Sequence, residues 1–411
     1  MTPARACSIL LCGMLLACRE HADAESPRAQ SRGSRGPSPA QSHGSGPSPA
    51  QAELAGGVTQ AAIPLEPRLP EAGGLPPPVV PEQAPIIVLA AGGDVSFGRE
   101  CGQAILKDVK YDPFAGLSQA WSSADLRFIN LESQLSDQNG LTQSPRNRLI
   151  FTGPPSGADV LARAKVSLVS TANNHAWDYG KSALFETIDN LTRAQVAFAG
   201  TGRDVEAAYR PVVVQAKGHS VALFAVTQIW NQGTFSDHEG RAHVAWADVD
   251  RLKTGIARAR RERDFVIVSY HGGEEYIDAP VDRTRRFVKA VMALGVDAII
   301  GHHPHVPQGI GWFGGRPVFY SLGNFVFDTH ANKPWTKQSY FVRLQLQKGV
   351  APVVSVCPYA LEGHRPRSFA NDDVSSLGRF RQHLINWSTS VGGSKVATVD
   401  ELGCLPVAPP K

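Results

Sequence analysis

Short apolar runs recur along the middle of the chain, at 86–91, 126–129, 166–170, 221–226, 265–268, 298–300 and 318–320. Nearly unbroken runs of this length suit strands covered on both faces. Between several of them, at 181–194, 248–263 and 283–294, polar and apolar residues alternate at helical spacing. Strands alternating with helices predict an α/β domain of layered type. Further on, 340–346 and 352–356 alternate as antiparallel edge strands do, and 380–388 can form a helix. The end of the chain, Pro406-Val407-Ala408-Pro409-Pro410, has a disorder-prone composition.

The N-terminal part reads differently. Arg5 precedes an apolar run over 7–17 that is too short to span a bilayer and reads as an export signal. Its end, Leu15-Leu16-Ala17-Cys18, resembles the bacterial lipobox, in which the Cys carries the lipid, although Leu16 stands where a smaller residue is usual. A plain secretory peptide or an uncleaved anchor are the alternatives, and each exports the domain. From 19 to 85 the chain is rich in Pro, Gly, Ser, Ala and Gln, with a near-repeat at 36–41 and 46–51, and is expected to be a disordered tether. The chain thus divides into a signal at 1–18, a tether at 19–85, a folded domain at 86–328, and an extension at 329–411 expected to complete that domain. The predicted location is the cell envelope, with the membrane reached through a lipid on Cys18.

Length and composition change this picture little. The 411 residues, 42% hydrophobic, can bury a substantial core. The net charge of +4 is spread among acids without a dense basic run, so nucleic acid binding gains no support. Outside the signal, Cys101, Cys357 and Cys404 remain. One bridge is possible in an oxidising compartment. Cys357 with Cys404 is favoured because both lie in the extension, but spacing does not fix the pairing.

The residues that follow the strands carry the chemistry. They read Gly93-Asp94, Asn130-Leu131-Glu132, Asn173-Asn174-His175, His271-Gly272-Gly273 and Gly301-His302-His303-Pro304-His305. In open α/β sheets the strand ends on one side converge on a ligand crevice, so one shared site is the economical reading. Oxygen and imidazole donors without thiolate suit Mn, Zn or Fe, as one or two divalent ions. Pro304 should hold His303 and His305 on one loop surface, with His302 either a ligand or an orienter of ligands. His175 is a candidate general acid and Asn174 a candidate ligand. Arg99, beside the Asp94 motif, is a candidate contact for an anionic substrate or else a surface ion pair.

With these residues in place the chain resembles the bacterial capsule-synthesis CapA family, the poly-γ-glutamate capsule proteins, which are similar to calcineurin-like metallophosphoesterases. The resemblance covers about residues 86–328. It rests on Gly93-Asp94-Val95-Ser96-Phe97-Gly98-Arg99, Asn130-Leu131-Glu132-Ser133, the stretch Ala172 to Gly180, His271-Gly272-Gly273-Glu274-Glu275-Tyr276, Gly301-His302-His303-Pro304-His305-Val306 and Ser321-Leu322-Gly323-Asn324-Phe325-Val326-Phe327-Asp328. It implies a four-layer αββα sandwich of two mixed sheets with metal at their edge. Asp94, Glu132, Asn174, His271, His303 and His305 are then ligands, Glu132 stands where a bridging carboxylate is expected, and His175 is the acid. Asn173, Glu275, Tyr276, His302 and Asn324 are left to substrate contact or to support of the ligands. Ser96 stands where the phosphoesterase pattern has a His, and Asn130-Leu131-Glu132 replaces a Gly-Asp-x-x-Asp motif, so one-ion and two-ion sites both stay open.

The leading functional expectation is a metal-dependent hydrolase acting on a phosphoester or an anionic polymer at the envelope. A non-catalytic accessory of capsule polymer synthesis, export or anchoring, working beside other capsule-synthesis proteins, is the alternative. A third reading leaves the histidines as hydrogen-bonded loop residues without metal.

Overall fold

Alternation along each strand decides which layer its side chains join. In the strand Ile87–Val95 every residue except Val88 is buried, because both faces are covered. Ile87, Leu89 and Ala91 share a core with Leu126 and Phe128 and with Val221, Leu223, Phe265, Ile267, Ala298 and Ile300, which belong to a second sheet. Ala90 and Val95 turn the other way, against Ile105, Leu161 and Leu191 from helices Arg99–Lys107, Gly157–Arg163 and Gly180–Arg193. In the second sheet Phe224, Val266, Val268 and Ile299 turn outward against Leu252, Ile256, Phe287 and Val291 of helices Val249–Glu262 and Asp282–Ala293. The layers are therefore helix, sheet, sheet, helix, the αββα arrangement. Each fully buried Ile, Leu or Phe contributes about 1.5–3 kcal/mol of transfer free energy to this packing.

The computed structural model describes residues 84–329 and 332–411, all within one compact unit. The signal segment, Cys18 and residues 19–83 lie outside the described residues. The first sheet has ten strands and the second six. In the first, Ile87–Val95 runs parallel to Leu126–Leu131, which is parallel to Leu168–Ser170, and antiparallel to Gln338–Leu346. In the second, His219–Thr227, Phe265–His271, Ala298–His302 and Arg316–Phe319 are all parallel. Parallel pairing aligns the C-terminal strand ends on one edge, with Asp94 opposite Asn130 and His271 opposite His302.

Two expectations for the C-terminal part are corrected. Gln338–Leu346 is an interior strand, held between Ile87–Val95 and Val353–Glu362. Its polar Ser339 and Arg343 are buried all the same, because Ser339 donates to the Leu322 carbonyl and Arg343 to the Ala120 carbonyl. The proline-containing tail also forms a strand, Leu405–Ala408, paired with Val353–Glu362. A disulfide from Cys404 to Cys357 fixes it there, while Cys101 stays free and buried. Helix Val374–Thr389 adds Phe380, Leu384 and Trp387 to the core between the sheets.

Candidate metal centre

Four of the six expected ligands sit where the two sheets present parallel strand ends to each other. Asp94 is next to last in its strand, Glu132 follows Leu126–Leu131, Asn174 follows Leu168–Ser170, and His271 ends Phe265–His271. Within the first sheet the backbone packs tightly here, and a β-carbon at Gly93 would collide with the Gly323 carbonyl just before the paired strand Asn324–Val326. Past the strand Ala298–His302 the chain bends sharply. His303 and His305, on either side of Pro304, adopt φ of 97° and 58°, a left-handed conformation that costs side-chain-bearing residues on the order of 1–3 kcal/mol. That strain turns the His303 and His305 rings toward the same space, 6.0 Å apart between centroids.

Glu132 is the centre of the arrangement. It is fully buried, and its Oε1 has no hydrogen-bond partner among the described residues. The same oxygen lies 3.7 Å from His305 Nε2, 3.8 Å from His271 Nε2 and 3.9 Å from His175 Nε2. These separations are too long for hydrogen bonds but right for donors sharing one cation. Two triads of donor atoms, each within 4.8 Å, meet at Glu132: Asp94–Glu132–His305 and Glu132–His271–His303. A third, Glu275–His303–His305, opens toward solvent through Glu275. Asn174 Oδ1 lies 2.7 Å from His271 Nε2, so the amide oxygen points to the same place.

Supporting contacts fix the donors. Asn324 Oδ1 lies 2.9 Å from His305 Nδ1, which leaves Nε2 facing Glu132. His302 Nδ1 sits 3.2 Å from Asp94 Oδ1, an orienting place beside a ligand. Asn173 holds the turn, donating to the Leu131 carbonyl and accepting from the His175 N–H. Tyr276 donates its backbone N–H to the Pro304 carbonyl and lies 6.2 Å from the His305 ring. Arg99 is set apart from the donors. Its guanidinium lies over Phe151 at 4.2 Å and 3.7 Å from Asp328, with Phe151 in turn packed 4.2 Å from the His175 ring. The ion pair weighed for Arg99 from its motif is present, and the side chain reaches the centre only across that ring.

Two residues of consequence were not singled out in the sequence. Asp178 Oδ2 lies 2.8 Å from His175 Nδ1 and also accepts from the Phe151 N–H, so it fixes which ring nitrogen faces the centre. The signal was present as an acid three residues after the His. Asn130 donates to Asp94 Oδ1 at 2.9 Å and lies 3.2 Å from His271 Nδ1, linking the two sheets. Its amide sits on the register partner of Asp94, which only strand pairing reveals.

Electrostatics match a cation binding site. Burial, and then the negative Asp94 and Glu275, push the Glu132 carboxyl well above its usual range. Burial acts the same way on Asp94, but the close His302 and His305 imidazoles and the Asn130 amide outweigh it and hold that carboxyl below its ordinary value. Burial, followed by the neighbouring imidazoles, holds His271 well below the usual histidine value. His303 is brought down to about 3 by burial and His305. His305 is lowered by burial against the opposing pull of Asp94. The lowered imidazoles keep their lone pairs at neutral pH, the state a metal needs. Buried Glu132 Oε1 and His303 Nδ1 have no hydrogen-bond partner among the described residues, a cost of about 1–3 kcal/mol each unless a cation or other partner is present. The donor set therefore fits one or two divalent ions.

PGA biosynthesis protein CapA of Bacillus subtilis (strain 168) is 28% identical over 291 residues, covering 71% of this chain and 76% of its own. Capsule biosynthesis protein CapA of Bacillus anthracis is 27% identical over 281 residues, covering 67% of each. A solved putative 5'-nucleotidase from Staphylococcus aureus aligns over 74% of this chain and 59% of its own, at 14% identity and a TM-score of 0.39. The profile of the bacterial capsule synthesis protein family PGA_cap matches residues 88–329, more than half of the sequence, and the chain belongs to that family.

Proposed function

We propose that this chain is a metal-dependent hydrolase of the cell envelope that cleaves a phosphoester or an anionic capsular polymer such as poly-γ-glutamate. The observation that carries the reading is the unpartnered, buried Glu132 Oε1 facing three imidazole nitrogens at 3.7–3.9 Å. Asp94, Glu132, Asn174, His271, His303 and His305 would hold one or two ions of Mn, Zn or Fe. Bound there, a divalent ion supplies Lewis-acid polarisation and a lowered water pKa. His175 is placed to serve as proton donor to a leaving group, because Asp178 occupies its Nδ1 and leaves Nε2 free toward the centre. Arg99 reaches the rim with its charge, suited to an anionic substrate.

Phosphomonoester, phosphodiester and poly-γ-glutamate hydrolysis by the metal-loaded full chain, measured beside His271→Ala, tests this. Metal-loaded protein that cleaves none of them, with the variant fully active in the cell, would overturn it. The other reading, a binding accessory of capsule assembly, is supported by the family and expects metal-independent binding of poly-γ-glutamate that His303→Ala leaves intact. Export and lipid anchoring at Cys18 belong to the same proposal and rest on the apolar run at 7–17 and the lipobox-like end. No helix among the described residues is long and apolar enough to cross a membrane. Incorporation of labelled palmitate by the wild type and its loss in Cys18→Ser checks the anchor.

A further inference from the structure

Beside the metal centre, past the end of the strand His219–Thr227, lies an open cleft of about 500 Å³ walled by Trp230, Phe235 and Trp246, with Gln228, Thr234 and Ser236 around them. We propose that this cleft is a subsite for uncharged sugar rings of a polysaccharide. Phe235 and Trp246 stack at 4.5 Å and 17°, and Trp230 meets Phe235 edge-on at 5.0 Å, so the wall is a braced aromatic surface. Such faces match the C–H faces of a pyranose, while the polar neighbours suit its hydroxyls.

Charge decides between this ligand and a polyanion. No charged side chain lines the cavity. A polycarboxylate segment seated there would meet no cationic partner, whereas a neutral ring needs none. The cavity is also tied to the centre. Gln228 donates its backbone N–H to the His271 carbonyl at 2.8 Å, and Tyr270, one residue before His271, donates its hydroxyl to Gln228 Oε1 at 2.6 Å. Trp177, two residues past His175, lies 6.2 Å from Trp230. A chain of sugars bound here would therefore lead toward the metal donors. That role in substrate choice rests on the hydrolase reading above, but the binding itself does not.

The test is calorimetric titration of the full chain with glucose and N-acetylglucosamine hexasaccharides, with EDTA present or absent and at low and high salt. At least one oligosaccharide is expected to bind, unaffected by EDTA and by salt, since neither ligand nor cavity is charged. Trp246→Ala and Phe235→Ala are each expected to weaken it by about tenfold or more, with Trp246→Phe retaining most of the affinity. The phenylalanine variant guards against misfolding of the alanine ones. Binding of neither hexasaccharide, unchanged binding in both alanine variants, or competition by poly-γ-glutamate for the same cavity would overturn the proposal. A chain that binds the oligosaccharides and hydrolyses nothing would refute the hydrolase reading alone, and a hydrolase that binds neither would refute the subsite alone.

Discussion

Replacing Glu132 by Gln separates the metal-free state of the centre from the loaded one. Without metal the carboxyl is fully buried, and burial with Asp94 and Glu275 pushes it well above the usual value of 4.5. A group whose folded pKa is raised favours the fold below its unfolded value and loses that contribution as pH climbs through the folded one. Gln has the same shape and no charge to lose, so in EDTA at pH 7 Glu132→Gln should melt no lower than the wild type. Metal reverses the sign. At about 100 times its Kd a bound ion stabilises the wild type by about 2.7 kcal/mol. An unfolding entropy of about 2.1 cal/mol/K per residue, over roughly 330 residues, is about 0.7 kcal/mol/K, so the melting point should rise by about 4 °C. The amide cannot serve as an anionic shared ligand, and the variant should gain less than about 1 °C. Thermal melts with EDTA, Mn²⁺ and Zn²⁺ read this directly. An equal metal-induced rise in both proteins, or a variant less stable than wild type in EDTA, would refute the reasoning.

Asp178→Asn should slow phosphodiester hydrolysis by about 10–100-fold, since it removes the acceptor that holds His175 as proton donor. Metal content measured on the same sample should not change, and a matching loss of metal would contradict the assignment. Asn324→Ala frees His305 Nδ1 and should weaken metal binding by about 10–100-fold in a titration, with unchanged affinity as the contrary result. In EDTA, His303 contributes stability that is complete above about pH 6.5 and is lost as pH falls toward about 3. His303→Gln should therefore flatten the decline in melting point between those values, and parallel curves would contradict the burial argument. Reducing Cys357–Cys404, which closes 47 residues, should destabilise the domain by about 2–4 kcal/mol in denaturant unfolding, and an unchanged midpoint would show the tail strand holds without it.

The layered α/β frame was legible because buried parallel strands leave apolar runs, and the runs at 86–91, 265–268 and 298–300 fall in the strands Ile87–Val95, Phe265–His271 and Ala298–His302, while the division into two sheets came only from the family resemblance. The candidate donors were legible for a related reason, since Asp94, Glu132, Asn174 and His271 stand at or just past the ends of such runs. Register was not. Nothing local says that Asn130 lies opposite Asp94, so its amide between the sheets went unmarked. Nor does composition show a tertiary tie, and the proline-containing tail became a strand through Cys404 and its partner sheet. Arg343 misled in the same way, since its polarity suggested an edge while a carbonyl 223 residues away satisfied it in the interior. The aromatic cavity left no pattern at all, because Trp230, Phe235 and Trp246 meet across a loop without periodicity.

Asp94, Glu132, Asn174, His271, His303 and His305 are proposed to hold divalent metal. Metal content per chain, measured by inductively coupled plasma mass spectrometry on full-length protein purified without chelator, addresses this most directly. One or two ions of Mn, Zn or Fe are expected per wild-type chain, and almost none in a folded Glu132→Ala, His271→Ala double variant. A wild-type chain that carries no metal and takes none up from micromolar Mn²⁺ or Zn²⁺, or a double variant that retains the full complement, would contradict it.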